Sequence, residues 1–365
     1  MHTFFEKDGF ILNNIDKIRQ ALVEQEYDAL MITNPVNRLF ATGFSSSAGV
    51  LLLTARDAWF YTDSRYIEAA GAAISGAHIC LTTKEEPYAE QIKAVLNENG
   101  ITSVGFEDNS VTYSGYLEWE EKLEINLIPV KQLLSDLRAV KPAGDLEKMK
   151  KAQRLAEKSF EEILPLISTE ITEKQLAAEL VYRLLTNGAD DKAFDPIIVS
   201  GRKSSMPHGV PEDNKIREGF LTIDFGARLD HWCSDTTRTV CIGKPDDEMI
   251  KVYETVLEAQ EAGIKTARAG ARGADVDAAA RTVIENAGFG EYFGHGFGHG
   301  LGLEVHEQPT ASRVSEDTLP AGAVISAEPG IYLPGRYGVR IEDVIYITEN
   351  GCENITNLPK KLLVL

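Results

Sequence analysis

Three of the chain's seven histidines lie in one glycine-rich stretch, residues 294–307, which reads GHGFGHGLGLEVHE. His295, His299 and His306 are interspersed there with five glycines. Each glycine would weaken a helix interior by about 0.5–1 kcal/mol relative to alanine. Strand-like or irregular backbone, in which glycines allow another group to approach closely, suits the stretch better. Three imidazoles on such a backbone indicate a metal or catalytic site.

A second feature is a pair of acidic residues among apolar neighbours. Residues 220–243 read FLTIDFGARLDHWCSDTTRTVCIG, which predicts two strands around a turn near Leu229–Asp230. A turn at that point would place Asp224 directly opposite Asp235. Like charges in that arrangement destabilise a sheet, so the pair needs a partner that neutralises it.

A third segment repeats this arrangement closer to the C-terminus. Residues 324–348 read VISAEPGIYLPGRYGVRIEDVIYIT, which predicts a hairpin whose turn is centred on Gly335. That turn would place Glu328 directly opposite Glu342. Burying unpaired carboxylates costs several kcal/mol each, so this second pair raises the same requirement.

Divalent cations explain both acid pairs and the histidine cluster together. Protonation of one acid, or an ion pair with Arg238 or Arg340, would explain either hairpin alone. Carboxylate oxygens favour Mn²⁺ or Mg²⁺, and an imidazole also admits Co²⁺, Fe²⁺ or Zn²⁺. Because four carboxylates would overcharge a single ion, the residues predict two ions, an arrangement known in hydrolytic enzymes.

The elements that must position these residues fall into two parts. In the first part the predicted elements are helices over 15–26, 65–73 and 88–99 and strands over 29–32, 49–54, 59–62 and 104–106. Such alternation is typical of an α/β layer domain. The breaker cluster Lys141-Pro142-Ala143-Gly144 ends it, so we expect an N-terminal α/β domain over residues 1–141.

Residues 142–365 are predicted to form an α+β domain. Asp145 is expected to cap a helix over 146–166, and Thr172 and Gln175 to form a capping box for a helix that ends near 186. Further helices are predicted over 247–266 and 274–287, with hairpins between and after them. The order helix, helix, hairpin therefore occurs twice, which predicts two structurally similar halves.

Composition narrows the classes of partner and compartment. We expect no nucleic-acid partner, because the formal net charge of −19 repels phosphate backbones. No apolar run approaches the ~18 residues of a membrane span, so no membrane association is expected. The N-terminus carries Glu6, Lys7 and Asp8 and does not resemble a signal peptide. Four scattered cysteines also fit a reducing compartment, and we expect a cytoplasmic protein.

The acidic and histidine motifs resemble those of the pita-bread metallopeptidases. The matching residues, with their flanking sequences, are Asp224 in TIDFGA, Asp235 in CSDTTRT, His299 in GFGHGLGLEVHE, Glu328 in SAEPGIY and Glu342 in VRIEDV. Within that family the match is to the Xaa-Pro branch, which contains aminopeptidase P and prolidase. The first part of the chain is similar to the same branch in TGFSSSAG (42–49) and YTDSRY (61–66). The resemblance implies an α/β N-terminal domain and a pita-bread catalytic domain.

This resemblance implies a set of metal ligands. Asp235 and Glu342 would bridge two divalent ions, most naturally Mn²⁺, with Co²⁺, Fe²⁺ or Zn²⁺ as alternatives. Asp224 would bind one ion, and His299 with Glu328 would bind the other. Glu328 would also act as the general base, since a carboxylate beside the attacking water can pass its proton to the leaving nitrogen.

Four further residues are implied to act around the substrate. His306 would polarise the scissile carbonyl, and His295 would lie at the substrate pocket. His208, in SSMPHGVP, matches another active-site histidine of the family. Arg340 would hold a ligand carboxylate through charge-assisted hydrogen bonds.

The choice within the branch depends on one position. Prolidases cleave dipeptides and commonly carry an arginine directly after the His-Glu-x-Pro segment. Here His306-Glu307-Gln308-Pro309 is followed by Thr310, and Arg313 lies three residues further on. The sequence therefore favours aminopeptidase P, which cleaves the Xaa-Pro bond at the N-terminus of longer peptides, with prolidase as the alternative. We also expect a homodimer.

More distant alternatives are a creatinase-like hydrolase, a methionine aminopeptidase and a binding module without catalysis. The creatinase-like and binding alternatives would be expected to lack metal ligands, whereas all five ligand positions are intact. Methionine aminopeptidases usually lack an N-terminal domain of the kind predicted here. A metal analysis of the purified protein would separate a two-metal peptidase from the proteins that do not use metal.

Overall fold

The first part of the chain forms a six-stranded sheet with helices on both faces in the computed structural model, which describes residues 14–365. Its elements are α1 (Asn14–Glu24), β1 (Ala29–Ile32), α2 (Pro35–Thr42), β2 (Val50–Thr54), β3 (Ala58–Thr62), α3 (Ile67–Ala73), β4 (His78–Leu81), α4 (Tyr88–Glu98), β5 (Ser103–Phe106), α5 (Tyr113–Leu123), β6 (Asn126–Pro129) and α6 (Leu133–Ala139). The strand order is β4-β3-β2-β1-β5-β6. The interpretation of Glu6, Lys7 and Asp8 lies outside the described residues.

Strand β1 shows why strands of this sheet appear in the sequence as uninterrupted apolar runs. Leu30 and Ile32 pack into one core with α1, whereas Ala29 and Met31 pack into a second core with α4. Side chains alternate between the faces of a strand, so a strand covered on both faces is apolar throughout. The predicted α/β class of this part is confirmed.

The second part contains four long helices and a set of antiparallel strands. The helices are α7 (Ala143–Ile163), α8 (Glu173–Thr186), α9 (Asp247–Thr266) and α10 (Gly273–Asn286). The strands are β7 (Asp191–Lys192), β8 (Ile197–Ser200), β9 (Gly219–Phe225), β10 (Ala227–Leu229), β11 (Trp232–Cys233), β12 (Thr236–Ile242), β13 (Gly298–Gly300), β14 (Glu307–Ala311), β15 (Val324–Ala327), β16 (Gly330–Leu333), β17 (Tyr337–Arg340), β18 (Asp343–Thr348) and β19 (Gly351–Asn354). Helices α7 and α8 share a core with β8, β9 and β12. Helices α9 and α10 share another with β15 to β18, as the repeated order of elements predicts.

The start of α8 agrees with the prediction from sequence, whereas the start of α7 does not. The predicted capping box is present, because Thr172 accepts from the Gln175 backbone and Gln175 accepts from the Thr172 backbone. Asp145, by contrast, is not the cap of α7. The helix begins at Ala143 after Pro142, whose extended backbone and missing N–H suit the position before a helix. Asp145 lies in the first helical turn, where its charge complements the helix dipole.

The chain divides into two compact units between Leu137 and Arg138. Our boundary at 141/142 stays a prediction, and Ala143 and Gly144 of the expected breaker cluster belong to α7. Within residues 14–365, no helix combines the length and the apolar composition that crossing a bilayer requires.

Candidate metal centre

The hairpin of β9 and β12 carries two of the predicted ligands, in a register that differs from our expectation. Its turn lies at Asp230–His231, both with positive φ, one residue later than predicted. Asp224 therefore faces Thr237 and not Asp235. Because side chains alternate in steps of two, Asp235 still belongs to the face that carries Asp224 and Thr237. The predicted direct pair is wrong, but the shared face is retained.

The second acidic hairpin has the predicted register. Its turn is centred on Gly335, which has a φ of 70°. Gly330 pairs with Arg340 on one side, and Ala327 pairs with Asp343 on the other. Both pairs fit a single continuous register, which puts Glu328 opposite Glu342, as predicted.

The glycines of residues 294–307 allow His299 to reach these acids. A Cβ on Gly298 would lie 2.0 Å from the Ser326 carbonyl oxygen, and one on Gly300 would lie 2.4 Å from that of Gln308. Only glycine permits strand β13 to lie this close to its neighbours. The His299 backbone N–H also donates to Ser326 Oγ at 3.0 Å, so the position of the residue is fixed from both sides.

The ring of His299 presents one defined nitrogen to the acids. Its Nδ1 lies 3.1 Å from the Gly300 carbonyl oxygen, which can only accept, so Nδ1 carries a hydrogen. Its Nε2 lies 3.1 Å from Glu328 Oε1 and 3.8 Å from Asp235 Oδ2. A cation placed among these groups would therefore meet Nε2, the usual kind of metal-binding nitrogen.

Burial and mutual repulsion dominate the electrostatics of the acids. Asp235 and Glu342 are 4% and 1% exposed. Burial, reinforced by neighbouring carboxylates, raises the pKa of both well above the ordinary value. Burial also raises the pKa of Asp224, although the guanidinium of Arg340 opposes the shift. Without a cation, the raised pKa values favour the protonated forms of these acids.

Glu328 differs from the other acids in this respect. Burial alone would raise its pKa, but His299, His295 and Arg340 outweigh that effect and lower it to about 2. The same contact with Glu328 raises the pKa of His299 despite the burial of the ring. Glu328 is therefore ionised across the neutral range.

The donor set fits a divalent cation on two observations. Asp235, His299 and Glu342 each offer a ligand atom, and these atoms lie within 4.8 Å of one another. Asp224 Oδ1 is buried and has no hydrogen-bond partner in the described part of the chain. Buried, unpaired oxygens beside a histidine nitrogen are what a cation with oxygen and nitrogen ligands requires.

Arg340 connects several of these groups. Its guanidinium donates to Asp224 Oδ2 at 2.6 Å and to Thr237 Oγ1 at 3.0 Å. Thr237 Oγ1 in turn donates to Glu342 Oε2 at 2.7 Å. Thr237 carries no motif that marks it in the sequence, although its position two residues after Asp235 places it on the same strand face.

Tyr332 is a second site residue that no sequence motif marks. Its hydroxyl accepts from Arg340 Nη1 at 2.9 Å and lies 2.9 Å from His295 Nε2. His295 Nδ1 lies 2.8 Å from the Gly296 carbonyl and carries the hydrogen, so Nε2 accepts from the tyrosine. Tyr332 follows Glu328 by four residues along one strand direction, a spacing that indicates a shared face.

The remaining predicted histidines, His306 and His208, are more exposed. The His306 ring lies 4.1 Å from that of His299, centroid to centroid. Partial burial and His299 lower the pKa of His306, which is therefore neutral at neutral pH. His208 follows Pro207, whose carbonyl accepts from Arg340 at 3.3 Å. All nine predicted site residues thus lie in the second unit, around the two acidic hairpins.

Comparison with known proteins agrees with this arrangement. The family model described as metallopeptidase family M24 matches residues 147–349, and the creatinase/prolidase N-terminal domain matches residues 14–140. An Xaa-Pro dipeptidase of Pyrococcus furiosus is 34% identical over 352 residues, which cover 96% of this chain and 99% of the relative.

Two solved structures extend the comparison. The Xaa-Pro dipeptidase from Bacillus anthracis aligns with a TM-score of 0.93 and 38% identity, covering 96% of this chain and 99% of its own. The X-Pro aminopeptidase from Thermotoga maritima aligns with a TM-score of 0.87 and 35% identity, covering 95% of this chain and 100% of its own. Both likenesses cover nearly the whole of this chain.

Proposed function

Since the chain belongs to the Xaa-Pro peptidase branch of the pita-bread metallopeptidase family M24, we propose that it is a metal-dependent Xaa-Pro dipeptidase. Its substrate would be a dipeptide whose second residue is proline. The observation that carries the proposal is the convergence of Asp235, Glu342 and the His299 Nε2 nitrogen in one buried cluster. The names of the Pyrococcus and Bacillus relatives favour this alternative over the aminopeptidase P activity that the sequence favoured.

We assign the metal ligands to five residues: Asp224, Asp235, His299, Glu328 and Glu342. The unpaired Asp224 Oδ1 and the raised pKa values of Asp235 and Glu342 support two divalent ions as the neutralising charge. The ligand set of four carboxylates and one imidazole favours Mn²⁺. When bound, such ions acidify a water molecule and polarise a carbonyl oxygen.

The other steps fall to the chain's own side chains. Glu328 is ionised at neutral pH and can therefore accept the proton of the attacking water and pass it to the proline nitrogen. His306 is exposed and neutral, and so has one N–H with which to stabilise the developing oxyanion. Arg340 keeps Asp224 oriented through its 2.6 Å contact.

His295 has a different role, because both of its nitrogens are engaged. Nδ1 bonds the Gly296 carbonyl and Nε2 bonds Tyr332, so the ring has no free nitrogen for proton transfer. We assign it to the wall of the substrate pocket. The nitrogen of an Xaa-Pro bond carries no hydrogen, so selectivity for proline must come from the shape of such walls.

Aminopeptidase P remains the second candidate, and the loop after Pro309 favours it. Thr310 stands where prolidases commonly carry an arginine, and its hydroxyl donates to Asp317 Oδ2 at 2.9 Å. This bond ties residue 310 to the base of the loop. Arg313 is exposed, and no ion pair involves it within residues 14–365. Arg313 is the next arginine along the chain after position 310, so we assign it as the alternative residue for binding the free carboxylate of a dipeptide.

A comparison of chain lengths tests the proposal. The metal-loaded enzyme is assayed with an Xaa-Pro dipeptide, the same dipeptide amidated at proline, and an Xaa-Pro-Yaa tripeptide. We expect the highest kcat/KM for the free dipeptide, and Arg313→Ala to remove that preference. The matched control is Arg272→Ala, an exposed arginine paired with Asp275. A higher kcat/KM for the tripeptide would establish aminopeptidase P instead.

We retain a cytoplasmic location and a homodimer as parts of the proposal. The four cysteines are free, which agrees with a reducing compartment. Light scattering of the purified protein measures the assembly directly.

A further inference from the structure

His306 differs from the two neighbouring histidines in how its ring is held. His295 and His299 each bond the carbonyl of the following glycine through Nδ1. Among the described residues, no hydrogen bond reaches the ring of His306, and its ring contact is with His299 at 4.1 Å. Apart from this ring contact, the position of the side chain depends on the backbone that carries it.

That backbone is anchored by the residue that follows. The Glu307 side chain is 6% exposed and faces two cations. Lys141 Nζ lies 2.5 Å from its Oε1, and Arg138 Nη2 lies 2.5 Å from its Oε2. Burial alone would raise the pKa of Glu307, but the two cations lower it, so the carboxylate is ionised.

The same guanidinium also holds the other end of the turn. Arg138 Nη2 lies 2.6 Å from Glu304 Oε2, so one nitrogen contacts the residues two before and one after His306. The turn is tightly closed beneath them, because a Cβ on Gly302 would lie 2.3 Å from Glu307 Oε1. Arg138 and Lys141 therefore form a charged clamp that holds the side chains at both ends of residues 304–307.

The two cations are themselves fixed by burial and backbone pairing. The side chains of Arg138 and Lys141 are 5% and 1% exposed. The Lys141 backbone N–H donates to the Gly322 carbonyl at 2.8 Å, and Val140 forms a bridge to Ala323. A buried lysine is costly unless it is paired, so Lys141 needs the carboxylate of Glu307 for its burial. Glu307 in turn needs the two cations for the burial of its own charge.

We propose that Arg138 and Lys141 are positioning residues for His306, acting through Glu307 and Glu304 to hold the turn that presents its ring. This inference rests on the role of His306 given under the proposed function. An ion pair with a merely structural role would stabilise the second unit without any specific connection to His306. The two possibilities differ in whether the clamp and the histidine act on the same step.

A double-mutant cycle separates them. Lys141→Met, which keeps most of the length of the side chain and removes its charge, is made in the wild-type and in the His306→Ala background. We expect kcat for an Xaa-Pro dipeptide to fall about 10- to 100-fold in the wild-type background, since small misplacements of catalytic groups have effects of this size. In the His306→Ala background we expect less than about a twofold change, because coupled residues are not additive. KM and bound metal should stay close to wild-type values.

Two further variants keep the test decisive. Glu307→Gln repeats the cycle from the acidic side if Lys141→Met does not fold, as judged by thermal unfolding. Lys150→Met is the matched control, because Lys150 pairs with Glu353 at 2.8 Å on the surface of α7. This control should leave kcat unchanged in both backgrounds.

The outcomes are distinguishable. Equal losses of kcat in both backgrounds, or a folded Lys141→Met enzyme with wild-type kcat, would overturn the positioning role. If His306→Ala alone leaves kcat unchanged, the role of His306 in the proposed function fails first, and the inference fails with it. A loss confined to the background that retains His306 supports the inference.

Discussion

Removing the charge of Asp235 should stabilise the metal-free protein while destroying its activity. Asp235 is 4% exposed and lies among other carboxylates, and its nearest cationic partner, His299 Nε2, is 3.8 Å away. Its pKa is raised well above the ordinary value, mainly by burial and then by Glu342. Asparagine has nearly the same shape but does not ionise, so Asp235→Asn removes this penalty.

The sign and size of the effect follow from proton linkage. Above the ordinary aspartate pKa the unfolded chain releases the proton that the folded, metal-free site retains. The free energy of unfolding then falls by about 1.4 kcal/mol per pH unit for each retained proton, until the folded site also ionises. Asparagine contributes no such slope, so the advantage of the variant should be absent in acid and grow as the pH rises.

Metal binding should reverse the order of stability of the wild type and Asp235→Asn. A ligand that binds only the folded protein stabilises it by about 2.7 kcal/mol at one hundred times its dissociation constant. The wild-type protein should gain this stability with Mn²⁺, whereas Asp235→Asn should gain less and stay inactive. We therefore expect the wild type to be the less stable protein after treatment with EDTA and the more stable one after loading.

Urea unfolding between pH 5.5 and 8.5 measures these differences. Trp232 lies in the second unit and can report its unfolding in a background where Trp59 and Trp119 are replaced by phenylalanine. The histidines remote from Asp235 are common to both proteins, so their titration cancels in the comparison. His299 is the exception, because its Nε2 lies 3.8 Å from Asp235. A metal-free Asp235→Asn protein that is less stable than wild type at every pH would refute the reasoning.

A neighbouring acid supplies the matched control. Asp343 is fully buried like Asp235, but it pairs with Arg238 at 2.8 Å and with Lys360 at 3.3 Å. Breaking a buried pair leaves an uncompensated charge, which costs about 3–5 kcal/mol. Asp343→Asn should therefore destabilise the metal-free protein across the same pH range in which Asp235→Asn stabilises it.

Two further predictions concern the histidines and the loop after Pro309. His299→Ala should reduce bound metal, whereas His306→Ala should retain it and lower kcat by about 10²–10³-fold; metal analysis with steady-state kinetics measures both, and metal loss from His306→Ala would show that the two roles are exchanged. Thr310→Arg should raise the kcat/KM ratio of a free dipeptide over its amide by about 10- to 150-fold, because a charge-assisted contact contributes roughly 1.5–3 kcal/mol. An unchanged ratio would show that residue 310 does not reach the proline carboxylate.

Local chemistry made much of the fold predictable. The capping box of Thr172 and Gln175 and the helix over 247–266 were predicted with their observed limits, because each depends on residues close in sequence. The start of α7 was not, since Asp145 has the chemistry of a cap but Pro142 already sets the extended backbone before the helix. The sequence thus offers two possible start points for the helix, Pro142 and Asp145, and does not show which of them is used.

The acidic hairpins of the site also show that local sequence signals fix some turns and not others. Gly335 fixes one turn, because its positive φ suits glycine, and the register of Glu328 and Glu342 follows from it. In the other hairpin the turn residues Asp230 and His231 adopt positive φ without glycine. Asp and His tolerate this conformation better than most residues, but without the glycine that usually follows Asp the turn has a weaker sequence signal. The resulting shift moved the partner of Asp224 by two residues and therefore left it on the same face.

Which ring nitrogen of each histidine carries the hydrogen, and what the other nitrogen contacts, shows where prediction from sequence stops. His295 and His299 are each followed by glycine, and each bonds that glycine's carbonyl through Nδ1, so Nε2 faces away from the chain. His208 is also followed by glycine, yet no such bond forms in the described structure, so the dipeptide alone does not decide the tautomer. What Nε2 then meets depends on residues far along the chain, which are Tyr332 for His295 and Glu328 for His299. The same local geometry therefore gives a hydroxyl-bonded ring, proposed as a wall of the pocket, in one case and a candidate metal ligand in the other, because the opposing residue supplies a hydroxyl or a carboxylate.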